Sequence, residues 1–153
     1  MKVYELRRAP NARRVRMFLA EKGIEMEYQQ VDLGAGENLA PATIEMWSRF
    51  IEFNLWLPTG MAFRHITGFY KDRERVFPEW GEECKQQAQI WFDKLDARLA
   101  EVPYIAGERF TIADILALCT IDFGKVVGLR ITPEQLHLQD WHDRVSARSS
   151  AQA

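Results

Sequence analysis

Five arginines, Arg7, Arg8, Arg13, Arg14 and Arg16, crowd the first turn and first helix of the chain. Beside a helix N-terminus such a cluster attracts anions, because unpaired backbone N–H groups and guanidinium groups favour the same negative charge. The cluster also suits a solvated face or ion pairs with acidic residues elsewhere. A second group is apolar. Phe53, Trp56, Phe63, Phe69 and Tyr70 lie within "EFNLWLPTGMAFRHITGFY" and could line a pocket for a hydrophobic small molecule. Helical spacing assigns several of them to the core, and Trp56 and Tyr70 suit a pocket rim best. His65 and His142 have no partner at metal-ligand spacing and read as surface or hydrogen-bonded histidines. Cys84 and Cys119 form neither a C-x-x-C nor a zinc pattern; both read as small core residues.

A scaffold must hold these groups in place. The 153 residues suit one domain, or a small domain with a remnant attached. Hydrophobic residues make up 47% and charged residues 27%, the balance of a soluble globular chain. A net charge of −2 gives no global reason for binding nucleic acid or an anionic membrane. The N-terminal stretch has no apolar run of signal-peptide length, and no stretch reaches a membrane span, so a cytoplasmic, reduced setting is the expectation.

"MKVYEL" alternates like a short strand, with Val3, Tyr4 and Leu6 suited to it. Pro10 is placed as a first helical residue, where its missing N–H costs nothing. Val15, Phe18 and Leu19 form the apolar stripe of that helix, and Gly23 closes it in the left-handed conformation. "EMEYQQVDL" is a second strand with Met26, Tyr28 and Val31 as its buried set. Strand, helix and strand make a parallel, right-handed β-α-β unit. After "GAGENLAP" the pattern turns helical. Ile44, Trp47, Phe50, Ile51 and Leu55 recur at helical spacing, Pro58 should kink or end the helix, and a continuation reaches about His65. Residues 79 to 100 are the clearest helix, with Cys84, Ala88, Trp91, Leu95 and Leu99 as its stripe. Pro103 follows its end. Thr111 caps the next helix, with Asp114 three residues on. The hydroxyl can accept from the Asp114 N–H while the carboxylate answers to the Thr111 N–H, a reciprocal cap worth about 1–2 kcal/mol. A last helix, "LQDWHDRVSAR", carries Trp141 and Val145, and the tail "SSAQA" is frayed.

"MKVYELRRAPNARRVRMFLAEKGIEMEYQQVDL" and "IAGERFTIADILA" together resemble the glutathione S-transferase family. The first is similar to the opening of its thioredoxin-like domain, the second to its C-terminal capping motif. The resemblance implies an α+β, mostly helical chain. It has a partial thioredoxin-like β-α-β unit over residues 1–39, an all-α C-terminal domain over 42–148, and a tail over 149–153. It implies glutathione as co-substrate, a small hydrophobic electrophile, a homodimer, and no metal, nucleic acid or membrane. Arg7 and Arg8 become candidates for binding glutathione; Trp56, Phe63 and Tyr70 become candidates for the electrophile. Thr111 and Asp114 are structural in this pattern.

Two departures stand against the resemblance. Related bacterial forms read Ser-Pro-Asn where this chain has Ala9-Pro10-Asn11. Ala9 donates no hydrogen bond, which leaves Asn11, at a helix N-terminus that favours a thiolate, as the candidate to stabilise the glutathione sulfur. The family's cis-proline segment and its Glu/Gln-Ser pair have no counterpart between Val31 and Trp47. Either the short chain leaves the edge of its first strand for a second copy to cover, or a further mobile segment belongs between Leu39 and Ala42. In the second case the Cα step there would far exceed the roughly 3.8 Å of a trans peptide. The alternative function is a non-catalytic protein of this fold that binds hydrophobic ligands or a protein partner.

Overall fold

A computed structural model of the chain describes residues 2–5, 7, 10–30 and 39–152. The elements, in order, are β1 (Lys2–Glu5), α1 (Pro10–Glu21), β2 (Glu27–Gln30), α2 (Leu39–Ile51), α3 (Leu57–Thr67), α4 (Pro78–Leu99), α5 (Ile112–Gly124) and α6 (Leu136–Ser146). They divide into two units, residues 1–42 and residues 43–153.

In the first unit β1 and β2 pair in parallel, from Lys2 opposite Glu27 to Glu5 opposite Gln30. Helix α1 begins at Pro10 as the sequence predicts. At its end Gly23 takes φ +61°; its N–H reaches the Ala20 carbonyl at 3.0 Å and the Ile24 N–H reaches the Leu19 carbonyl at 2.9 Å. This pair of bonds satisfies carbonyls that a helix end otherwise leaves open.

The apolar residues assigned to the interior of this unit are less covered than their pattern implies. Tyr28 is 40% exposed, Val15 45% and Phe18 59%, while Leu19 and Met26 are half-buried. Leu6 and Val31 lie outside the described residues. Among the described residues of this unit, two four-residue strands and one helix carry too little apolar surface to close a core of their own. The buried fixed point is polar instead. Glu5 is 6% exposed, pairs with Arg16 and accepts from Gln30 Nε2 at 3.3 Å.

Helix α2 starts at Leu39 and runs through Ala42 to Ile51. Pro58 neither ends the helix nor breaks its backbone. Residues Glu52–Trp56 form a π turn, and the Leu57 N–H reaches back five residues to the Glu52 carbonyl. Proline has no N–H for the carbonyl four residues earlier, and its ring needs room there; the wider turn accommodates both. Ile51 (φ −65°, ψ −46°) and Leu57 (φ −60°, ψ −50°) stay helical on either side. Helix α3 runs on past His65 to Thr67, where Gly68 closes it at φ +63°.

The core of the second unit collects one stripe from each helix: Ile51, Leu55 and Ala62, then Cys84, Ala88, Phe92, Leu95 and Leu99, then Ala113, Ala117 and Ile121, and Leu138, Trp141 and Val145. On α4 it is Phe92, fully buried, that fills the position assigned to Trp91, which is half-buried. Both rings follow Ala88 at helical spacing, and only the neighbouring helices decide between them. Gly81 brings α4 against α3; a Cβ there would stand 2.9 Å from Ile66 Cγ1 and 3.0 Å from the Ile66 nitrogen.

Both halves of the reciprocal cap at Thr111 and Asp114 are present, and Thr111 Oγ1 also accepts from the Ala113 N–H at 3.3 Å. Of the two cysteines, Cys84 is buried but Cys119 is exposed, against the expectation that both are interior. Helix α5 is apolar on most sides, so its composition does not reveal which side faces out. Ile112 (57% exposed), Ile115 (44%) and Cys119 share the outer side at spacings of three and four.

Candidate functional site

The aromatic residues of α3 and the turn after it converge in the second unit. Phe63 is central. Its ring centroid lies 5.4 Å from Phe69, 6.5 Å from Tyr70 and 5.1 Å from Phe123 of α5. Trp56 stands 5.7 Å from Phe123, and Phe69 meets Tyr70 edge-on at 4.9 Å. These rings, with Leu57, Gly60, Met61 and Arg64, line an open cleft of about 480 Å³. The π turn and Pro58 place Trp56 and Leu57 at its edge. Gly68 reverses the chain so that Phe69 and Tyr70 fold back on Phe63. The Phe69 N–H reinforces that reversal by bonding Thr67 Oγ1 at 3.2 Å.

Trp56, Phe63 and Tyr70 therefore come together, with Phe69 beside them. Phe53 does not. It lines a neighbouring cleft of about 450 Å³ with Glu52, Leu116, Cys119 and Thr120, which shares only Trp56 and Leu57 with the first. Phe123 is not among the residues the sequence pattern points to, although it continues the outer face of α5 four residues after Cys119.

Among the described residues Arg64 is the charged one lining the aromatic cleft. Its Nε donates to Glu74 Oε1 at 2.8 Å and its Nη2 pairs with Glu74 Oε2. That hydrogen bonding by Arg64 holds the Glu74 carboxyl below its usual range. The Arg64 guanidinium also lies 5.5 Å from the Tyr70 ring centroid, within cation–π range.

In the first unit Arg7 is exposed; its N–H donates to Gln30 Oε1 at 3.1 Å and its carbonyl accepts from Arg16 Nη2 at 3.0 Å. Arg16 is committed to Glu5, so this member of the arginine cluster serves an internal ion pair. Asn11 lies in the first turn of α1. Arg8 and Ala9 lie outside the described residues. His65 Nδ1 accepts from the Phe77 N–H at 3.4 Å, and His142 Nε2 meets Asp122 Oδ1 at 2.9 Å. Among the described residues no group of three or more His, Cys, Asp or Glu side chains is placed to hold a metal ion, and no helix is long and apolar enough to cross a membrane.

Comparison with known proteins gives a consistent assignment. The family model for the glutathione S-transferase N-terminal domain matches residues 1–43, and that for the C-terminal domain matches residues 69–149. Glutathione S-transferase 2 of Saccharomyces cerevisiae is 29% identical over 114 residues, which are 73% of this chain and 49% of the yeast protein. The aligned region thus spans about half the length of that relative. A glutathione S-transferase domain-containing protein of Marinobacter aquaeolei VT8 superposes with a TM-score of 0.68 at 27% identity, covering 98% of this chain and 99% of that one. A glutathione S-transferase of class Gtt2 from Vibrio parahaemolyticus gives a TM-score of 0.63 at 28% identity, covering 100% and 96%. With the C-terminal model alone spanning more than half of its residues, the chain belongs to the glutathione S-transferase family.

Proposed function

We propose that the chain joins the thiolate of glutathione to a hydrophobic electrophile, and that the cleft around Phe63 holds the electrophile. In that reaction the sulfur lone pair forms a carbon–sulfur bond, and the electrophilic carbon passes its electrons to a leaving group or to an acceptor atom that takes up a proton. The protein's part is to favour the thiolate and hold the two reactants together. Asn11, in the first turn of α1, is the proposed sulfur-stabilising residue, and Arg7 and Arg8 the proposed contacts for the carboxylates of glutathione. Trp56, Phe63 and Tyr70 supply the apolar walls. The observation that supports this reading most is the convergence of Phe69, Tyr70 and Phe123 on Phe63, with Trp56 packed against Phe123, in an open cleft. The proposal extends to a cytoplasmic, detoxifying homodimer in which a second copy covers the free edge of β1, since β1 pairs only with β2 among the described residues.

The second reading, a non-catalytic protein that binds hydrophobic ligands or a protein partner, is favoured by Ala9 and by the absence of a Val-Pro or Glu/Gln-Ser pair between Val31 and Trp47. Immobilised glutathione followed by a conjugation assay separates the two. Retention with turnover, reduced in Asn11→Ala, supports the enzyme; passage unretained, with an apolar dye still bound, supports the binder.

A further inference from the structure

Arg64 is the one cation among the described residues lining the aromatic cleft, and it is already matched. Glu74 meets it with both carboxylate oxygens, the geometry in which a guanidinium is best satisfied. The carboxylate is held there by its own backbone. The Glu74 N–H bonds the Tyr70 carbonyl at 3.0 Å, and further along the turn the Phe77 N–H bonds His65 Nδ1. Arg73, the other guanidinium near the Tyr70 ring, at 5.7 Å, pairs with Asp72 at 3.3 Å. A ligand entering the cleft thus meets aromatic surface and a neutralised ion pair. We propose that Glu74 is a specificity-determining residue: by pairing with Arg64 it makes the cleft favour uncharged aromatic ligands over anionic ones. This rests on the reading of the cleft as a ligand site.

The chemistry makes the role separable from simple support of the turn. Glutamine at position 74 keeps the length and one acceptor oxygen, so Arg64 can still be held, but its charge is no longer balanced. An anionic ligand then gains a partner that an uncharged one cannot use. The test is fluorescence titration at low ionic strength with two dyes sharing one aromatic body, uncharged phenylnaphthylamine and anionic anilinonaphthalene sulfonate. Glu74→Gln should shift the ratio of the two dissociation constants about fivefold toward the sulfonate, the scale of one partly exposed charge pair. The double variant Arg64→Gln/Glu74→Gln, with neither charge, should return the ratio to that of the parent protein. An unchanged ratio in Glu74→Gln, including equal loss of both dyes, overturns the proposal, as does a shift that persists in the double variant. Trp56→Ala reports on the underlying reading: if it weakens neither dye, the dyes bind elsewhere and the cleft assignment itself fails.

Discussion

Trp141 Nε1 donates a hydrogen bond to Asp114 Oδ1 at 2.9 Å, tying α6 to the first turn of α5. The same oxygen accepts from the Ile105 N–H at 3.0 Å, and Oδ2 accepts from the Thr111 N–H at 2.9 Å and the Thr111 hydroxyl at 3.2 Å. Asp114 and Trp141 are both fully buried. Removing the carboxylate leaves several buried donors without a partner. Asp114→Ala should therefore lower the unfolding free energy by about 3–5 kcal/mol. Thr111→Ala, which removes one cap oxygen at a half-buried site, should cost about 1 kcal/mol. Urea denaturation measures both; near-equal losses would contradict the network.

Gly81 and Gly60 should respond in opposite directions to the same change. A methyl at Gly81 meets the α3 backbone at 3.0 Å, so Gly81→Ala should destabilise by about 1–3 kcal/mol. A methyl at Gly60, inside α3, meets nothing among the described residues within 4 Å, and Gly60→Ala should stabilise by about 0.5–1 kcal/mol through the entropy of the unfolded chain. Thermal unfolding of the two variants side by side checks the sign of each.

Thr59 carries a hydroxyl that is fully buried and has no hydrogen-bond partner among the described residues. Valine has the same shape without the unsatisfied oxygen. Thr59→Val should raise stability by about 1 kcal/mol, read as a higher urea midpoint at unchanged slope.

Asp122 links α5 to α6 through His142 at 2.9 Å and to Lys125 at 2.6 Å. Burial pushes its carboxyl up, but the hydrogen bonds from Lys125 and His142 outweigh that and leave it lowered. A carboxyl lowered on folding stabilises the protein above its unfolded value and loses that contribution as pH falls through the folded one. Asp122→Asn should thus melt below the parent protein at pH 7, and the gap should close in acid below the ordinary aspartate range. A gap that stays constant with pH would contradict the assignment.

What could be read from the sequence was whatever local chemistry determines. Pro10 and Gly23 bound α1 because each supplies a backbone property its position demands. The Thr111–Asp114 cap is likewise local, three residues apart. Trp56, Phe63 and Tyr70 were legible as a group because α3 and its following turn keep them close along the chain. Features set by distant partners were not legible. The choice of Phe92 over Trp91, the outward side of the largely apolar α5 and the entry of Phe123 into the cleft depend on neighbouring helices. The Arg64–Glu74 pair joins residues ten apart across a turn whose path the composition does not specify.

The most direct test of the account is the steady-state rate of glutathione conjugation to an uncharged aryl halide, compared between the parent protein and Trp56→Ala. The account predicts glutathione-dependent turnover, with the KM for the aryl halide raised about fivefold in the variant, the scale of one lost aromatic contact, and the KM for glutathione unchanged. No glutathione-dependent turnover, or a variant whose KM for the aryl halide matches the parent's, would contradict it.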